Sequence, residues 1–258
     1  MEQLLTMYPA FLLILVRVAS FFITVPFFSH RTIPAMHKVG LAAVLSIVIV
    51  TTIDIPAVEL DDQFILLVVK ECLVGLVMGL IAYIVIMAIQ IAGGLIDFQI
   101  GFAIANVIDP QTGAQSPITG QYLYTVALLL LLSTNGHHLL IDGIYNSYDV
   151  IPMNQLIFPV GEETFVTHAL TTFATMFLLA VQMSLPLVGA LFLVDVALGI
   201  VARTVPQLNI FVVGFPLKII VAFILLIVVM GSMFYMMQLI FEYMLEAMRT
   251  MIRILGGV

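Results

Sequence analysis

Five ionisable side chains lie inside or at the edges of long apolar stretches of the sequence: Arg17, Lys70, Glu71, Asp195 and Lys218. A charge in a membrane-type segment is costly, so each of these residues is a candidate for function. Acids such as Glu71 and Asp195 could pass protons or ions if they faced a common cavity. The structural alternative places Lys70 and Glu71 near a membrane interface and holds Arg17 and Asp195 as buried charges with partners. We favour this alternative, because a few acids scattered over different helices do not form a relay.

Two adjacent histidines, His137 and His138, are the other residues whose type suggests chemistry. Adjacent side chains diverge on a helix and no third ligand follows locally, so a break in a helix is favoured over a metal site. The sequence has no H-E-x-x-H, G-x-S-x-G, Walker-type glycine loop or C-x-x-C motif. It therefore predicts no catalytic residue, no metal and no cofactor, and it does not favour an enzyme.

The composition is that of a membrane protein. Of the 258 residues, 63% are hydrophobic and 9% are charged, whereas a soluble domain carries about 25% charged residues. This excludes an ordinary soluble globular protein. The formal net charge of −7 leaves no basic surface to neutralise a phosphate backbone, so binding to nucleic acid is not predicted.

Long apolar runs predict an all-α integral membrane protein of about six apolar helices arranged in helical hairpins. The runs cover residues 8–28, 39–53, 64–91, 123–144 with a break at 134–138, 166–202, and a last stretch from after Pro216 to about Arg253. The fifth run is too long for one crossing and contains Pro186, so one kinked helix or two shorter helices both fit.

The distribution of Lys and Arg leaves the number of crossings open. Arg31, Arg203 and Lys218 are expected on the inner side of the membrane. With six crossings, Arg249 and Arg253 would then lie outside, against the same rule. Either the number of crossings is odd, or some of the helices do not span the bilayer.

Residues 93–120 differ from their surroundings because they are rich in glycine, proline and polar residues. Backbone of this kind cannot face lipid, so it must line a cavity, pack inside protein or lie in water. Residues 101–110 carry bulky apolar side chains on a segment that begins with glycine. This pattern is typical of a re-entrant or constriction loop, although a loop that only caps packed helices fits the composition equally well.

Three segments of the chain resemble a known family. They are residues 101–110, the tripeptide Asn135-Gly136-His137 and, above all, residues 198–211 followed by 214–218. They are similar to the flagellar biosynthesis protein family FliR and its counterparts in virulence type III secretion, and the resemblance covers essentially the whole chain. It implies a structural or interface role for the motif residues Asp109, Pro110, Arg203, Pro206, Gln207, Asn209, Gly214, Pro216 and Lys218.

The resemblance implies a non-enzymatic, multi-pass subunit of the protein export gate in the bacterial cytoplasmic (inner) membrane, at the flagellar basal body. In that family, the subunit forms with FliP and FliQ a channel for unfolded flagellar proteins, and FlhB and FlhA join it. FliR-like chains resemble a fusion of FliP-like and FliQ-like hairpins that stands largely above the bilayer plane. A single domain over residues 1–258 is expected, with N-terminal helices in 1–92, a plug-type loop in 93–120 and C-terminal helices in 121–258.

The loop that corresponds to residues 101–110 closes the pore in that family, often with phenylalanines. Here the matching positions hold Ile104 and Val107, with Phe102 displaced by two residues. We expect Phe102, Ile104, Val107 and Ile108 to form the closed-state barrier, because bulky aliphatic groups also dewet a constriction. The alternative function is a stand-alone secondary transporter or channel, for which midplane charges and glycine-broken helices are expected.

Overall fold

The computed structural model is all-helical in the part of the chain that it describes. That part comprises residues 2–29, 33–53, 61, 63–102, 117–156, 162–205, 207 and 209–257, without the side chains of 2–6, 210 and 211. The helices are α1 (Glu2–Thr24), α2 (Ala35–Thr52), α3 (Phe64–Ile100), α4 (Ile118–Ser133), α5 (Gly136–Val150), α6 (Glu163–Thr204) and α7 (Ile210–Gly256). These residues contain no strand, so the predicted all-α class is confirmed.

The predicted set of membrane helices is also confirmed. Among the described residues, five helices are long and apolar enough to cross a membrane, namely α1, α2, α3, α6 and α7. The bent pair α4 and α5 raises the number to six if it is counted as one span. The pair breaks at Thr134-Asn135, within the predicted interruption, where Asn135 adopts a left-handed backbone conformation with φ of 57°. A residue in that conformation cannot continue a right-handed helix.

Three helices are longer than a bilayer is thick. Helices α3, α6 and α7 contain 37, 42 and 47 residues. At 1.5 Å per residue they rise about 55, 63 and 70 Å, against a hydrocarbon core of about 30 Å. Of the two interpretations of the fifth apolar run, the structure selects a single helix, α6, with Pro186 inside it.

The glycine-rich segment predicted at residues 93–120 is shorter in the structure. Helix α3 continues through Gly93 to Ile100, and α4 begins at Ile118. A Cβ atom on Gly93 would overlap the Cα of Gly120. The glycines therefore permit two helices to approach closely, which is a common use of glycine in membrane helices, and they do not break α3.

Pro216 does not mark the start of the last helix. The sequence predicts a helix that starts after Pro216, but α7 begins at Ile210 and contains Pro216. Proline removes one backbone hydrogen bond from a helix interior. Membrane helices tolerate this loss because neighbouring groups satisfy the freed carbonyl.

The chain divides into two compact units. The first unit comprises Met1–Ile86, Leu131–Phe173 and Phe241–Val258, and the second comprises Met87–Leu130 and Ala174–Ile240. In the first unit α1 packs against α2. Side chains of α1 form much of the core of this unit, including the fully buried Leu13, Ile14, Val18, Phe21 and Phe22. Helix α3 approaches α1 closely at Gly75.

We expect the variant Gly75→Ala to destabilise the first unit. A Cβ atom at this position would overlap Ser20 Oγ and the carbonyl oxygen of Arg17, so the helices must shift, at a cost of about 1–3 kcal/mol. Gly40→Ala is the matched control, because nothing lies within 4 Å of a Cβ atom at Gly40. The measurement is the thermal unfolding midpoint in detergent, and equal midpoints for the two variants would contradict the prediction.

Candidate functional site

The charges at positions 17, 70 and 71 form one buried cluster in the first unit. The Arg17 guanidinium on α1 donates to both carboxylate oxygens of Glu71 on α3, through Nε and, at 3.0 Å, through Nη2. Lys70 Nζ lies 2.7 Å from Glu71 Oε1. The side chains of Arg17 and Glu71 are fully buried. A bidentate, charge-assisted pair of this kind is strong and fixes the geometry of both partners.

The end of helix α5 supplies further acceptors for the two cations. Arg17 Nη1 donates to Ser147 Oγ at 2.9 Å, and Nη2 donates to the Ile151 carbonyl at 3.0 Å. Lys70 Nζ donates to the carbonyls of Pro152 and Met153 at 2.7 and 3.2 Å. Hydrogen bonds from a cation to a carbonyl oxygen are charge-assisted. These acceptors therefore help to balance two cations that face one carboxylate.

An aromatic ring completes this cluster. The guanidinium carbon of Arg17 lies 4.0 Å from the centroid of the Tyr148 ring, a cation–π contact. The prediction that Arg17 is a buried charge held by partners is thus confirmed. Lys70 and Glu71, which were predicted near a membrane interface, are buried in the same cluster.

In the second unit, Asp195 on α6 joins α3 and α7. Gln99 Nε2 donates to Asp195 Oδ2 at 2.8 Å. Lys218 Nζ lies 2.9 Å from Oδ1 and 3.0 Å from Oδ2 of the same carboxylate. Asp195 is therefore held by partners as predicted, although its side chain is 40% exposed. Because Glu71 and Asp195 are each paired with a cation, the structural interpretation of these charges is favoured over a proton relay.

The helices on either side of residues 103–116 meet in the second unit, at a place that we call the neck. The neck consists of Gln90, Gly93, Gly94 and Asp97 on α3 and residues 117–120 at the start of α4. The α3 residues share one helix face through their spacing of three and four. Gly93 lies against Gly120, and a Cβ atom on Gly94 would lie 3.4 Å from Pro117 Cγ.

Asp97 is the acidic residue of the neck, and its carboxylate bonds to the first turn of α4. The Thr119 amide donates to Asp97 Oδ2 at 3.0 Å, and the Thr119 hydroxyl donates to Oδ1. Asp97 is 3% exposed and Thr119 is 8% exposed. A buried carboxylate at a helix N-terminus is stabilised by the helix dipole and by amides that otherwise lack partners.

Helix α3 ends in a Schellman motif directly beyond the neck. Gly101 has a φ of 102°, its amide donates to the Phe98 carbonyl at 3.2 Å, and the Phe102 amide donates to the Asp97 carbonyl at 3.0 Å. Glycine is required here because the position needs a positive φ. The Phe215 ring of α7 lies 3.2 Å from the place that a Cβ atom on Gly101 would occupy.

The structure describes one of the four expected barrier residues. Phe102 is half-buried just after the end of α3. Ile104, Val107 and Ile108 lie outside the described residues. The same is true of three motif residues, Asp109, Pro110 and Pro206.

The remaining motif residues surround the start of α7. Arg203 is exposed in the last turn of α6, and Gln207 is exposed after it. Asn209 precedes α7, and its carbonyl accepts a hydrogen bond from the Val213 amide at 3.2 Å. Gly214 is buried, Pro216 lies inside the helix, and Lys218 binds Asp195.

The two longest motifs of the sequence therefore meet at the end of α3. The Phe215 ring lies beside Gly101, 3.2 Å from where a Cβ atom would be, and Gln99 and Lys218 share the carboxylate of Asp195. Sequence reasoning missed the role of Asp97 and its partner Thr119. Asp97 stands out as a polar residue in an apolar helix, but the sequence does not indicate a partner that follows it by 22 positions.

His137 and His138 lie side by side. The rings of His137 and His138 lie with their centroids 4.1 Å apart at the start of α5. Within the described ranges, no group of three or more His, Cys, Asp or Glu residues is placed to hold a metal ion.

Long apolar helices, tied together by paired charges and close glycine contacts, define an all-α, multi-pass membrane protein. Residues 8–244 match the family described as bacterial export proteins, family 1. The chain is 53% identical over 257 residues to the flagellar biosynthetic protein FliR of Bacillus subtilis (strain 168), covering 99% of each chain. It is 32% identical to FliR of Escherichia coli (strain K12), covering 84% of this chain and 82% of that one.

A protein named for translocation is also similar to the chain, at lower identity. The chain is 28% identical to the Yop proteins translocation protein T of Yersinia pestis, covering 84% of each chain. The protein belongs to the FliR family of bacterial export proteins, which is associated with flagellar biosynthesis and type III secretion. The family resemblance that the sequence motifs predict is thereby confirmed.

We expect the variant Glu71→Gln to destabilise the protein by about 3–5 kcal/mol, because two buried cations lose the carboxylate that both contact. Glu246→Gln, at an exposed position on α7, is the matched control and should change stability by less than about 0.5 kcal/mol. The measurement is the free energy of unfolding in detergent. A Glu71→Gln variant as stable as the control would show that the cluster does not hold the first unit together.

Proposed function

We propose that the protein is a non-enzymatic subunit of the flagellar protein export gate in the bacterial inner membrane. It assembles with FliP and FliQ into a channel for unfolded flagellar proteins, and FlhB- and FlhA-like subunits join the complex. The observation that carries the proposal is the meeting of the two family motifs at the end of α3. It occurs in a chain that is 53% identical, over nearly its whole length, to a FliR protein.

The exposed apolar surface of α6 supports assembly with other subunits. Large apolar side chains are exposed from Val166 to Val201 along this helix, a stretch of about 54 Å at 1.5 Å per residue. A hydrocarbon core of about 30 Å cannot cover that length. The remaining apolar surface needs cover from protein. A stand-alone transporter would leave it in water, so this observation favours the gate subunit.

Co-expression with FliP and FliQ tests the assembly. A tagged copy extracted in mild detergent should co-purify with multiple copies of both partners in one large complex, as measured by native mass. A monomer or homo-oligomer that binds neither FliP nor FliQ would contradict the proposal. Uptake of solutes by liposomes that contain this chain alone would then support the transporter.

We further propose that residues 101–110, within the predicted 93–120 segment, form a plug. Phe102, Ile104, Val107 and Ile108 are its barrier, and Asp109 and Pro110 end it. The support is the resemblance to the family together with the position of Phe102, two residues beyond the end of α3 at the neck. Bulky apolar side chains close a pore by dewetting it.

The double variant Ile104→Gly/Val107→Gly tests the plug in the assembled complex. Removing two apolar side chains from the barrier should let water enter, so the ion conductance of planar bilayers that contain the complex should rise. Gln111→Gly/Thr112→Gly adds two glycines nearby on the same segment and should leave the conductance low. If both double variants give the unchanged conductance of the parent complex, the proposed barrier is wrong.

A further inference from the structure

We propose that Asp97 is a positioning residue for the plug. Its carboxylate, bonded to the amide and the hydroxyl of Thr119, fixes the ends of the two helices between which residues 103–116 run. This inference rests on the proposed plug function. It concerns the described residues of the neck, and it assigns to Asp97 a role in keeping the resting gate closed.

Helix α4 takes its N-terminal cap from a side chain of α3. Pro117 precedes this helix and has no side-chain acceptor, so it cannot serve as the Ser, Thr, Asp or Asn that usually caps a helix. Asp97 provides the acceptor from another helix, 22 positions earlier in the chain. A local cap would stabilise α4 alone, whereas this one also ties the start of α4 to α3.

Two contacts between α3 and α4 follow each other along the neck. Gly93 brings the backbones of α3 and α4 together at Gly120. Asp97 lies one helical turn further toward the end of α3, on the same face. Of the neck residues on α3, it is the last in the sequence. The Asp97–Thr119 pair therefore holds the two helix ends together one turn beyond the glycine contact.

Separation of Asp97 from Thr119 costs free energy. Asp97 and Thr119 are almost fully buried, so separating them leaves polar groups without partners in an apolar interior. A hydrogen bond to a charged group is strong enough to shift a two-state equilibrium by about tenfold or more. The intact pair therefore favours one separation of the helix ends, and loss of the pair releases it.

Three variants of the neck test the proposal in the complex with FliP and FliQ. Asp97→Ala removes the acceptor of both hydrogen bonds and should raise the resting ion conductance of planar bilayers by about tenfold. Thr119→Val removes the hydroxyl bond and keeps the amide bond, so it should raise the conductance by a smaller factor. Thr119→Ser retains the hydroxyl and should restore the low conductance. Thr125→Val is the matched control, because the Thr125 hydroxyl donates to the Gln121 carbonyl of its own helix.

The variant Ile104→Gly/Val107→Gly, measured in parallel, separates the two proposals. If it leaks while Asp97→Ala and Thr119→Val stay closed, the positioning role is overturned and the plug stands. If it stays closed as well, the plug fails and the positioning role fails with it. Leakage by the two neck variants, without leakage by Thr119→Ser or Thr125→Val, supports both.

A distance measurement keeps the proposal testable if Asp97→Ala fails to assemble. Spin labels are placed at Phe98→Cys and Tyr122→Cys, both at exposed positions, in a Cys72→Ser background. The milder variant Asp97→Asn should broaden the distance distribution between the labels in the complex, and Thr125→Val should not. An unchanged distribution in Asp97→Asn overturns the proposal.

Discussion

Charges inside an apolar chain must find their counter-charges within it, and this constraint organises the first unit. Glu71 lies between Arg17 and Lys70, and the surplus positive charge is met by carbonyl groups that follow α5. In an interior of low dielectric constant, each of these groups would be costly alone. The cluster therefore fixes how α1, α3 and the end of α5 pack. The close approach of α3 to α1 at Gly75 fits the same arrangement, because it lies one helical turn beyond Glu71.

The second unit follows the same principle, although its buried or partly buried carboxylates have fewer charged partners. Asp195 is shared by Gln99 and Lys218, and Asp97 is bonded to the start of α4. Asp97 lies on α3, and Asp195 contacts α3 from α6 through Gln99, both near the C-terminal end of α3. The Phe215 ring and the positive φ of Gly101 complete this end of the helix. Polar side chains are concentrated there because backbone leaves helical geometry at that point, and each freed group needs a partner.

The sequence predicts the fold well and the neck poorly, for a physical reason. Apolar runs identify the helices because a membrane helix must be apolar along its length. Glycine and proline mislead at residues 93–100 and at Pro216, because their usual meaning as helix breakers comes from helices in water. Inside a packed membrane protein, glycine permits close contact and proline is tolerated. The pairing of Asp97 with Thr119 depends on tertiary structure, and no local pattern encodes it. The barrier residues follow from the family resemblance and remain a prediction.

The length of the helices bears on how the protein must work. A self-sufficient transporter has to place its apolar surface within the hydrocarbon core, so its helices match the thickness of the bilayer. Helices α6 and α7, of 42 and 47 residues, exceed that thickness about twofold. Their exposed apolar side chains continue over most of the length of α6. The apolar surface that extends beyond the hydrocarbon core needs cover from protein. Arg17, Lys70, Glu71, Asp195 and Lys218 are already paired within the chain, so these charges hold the fold together.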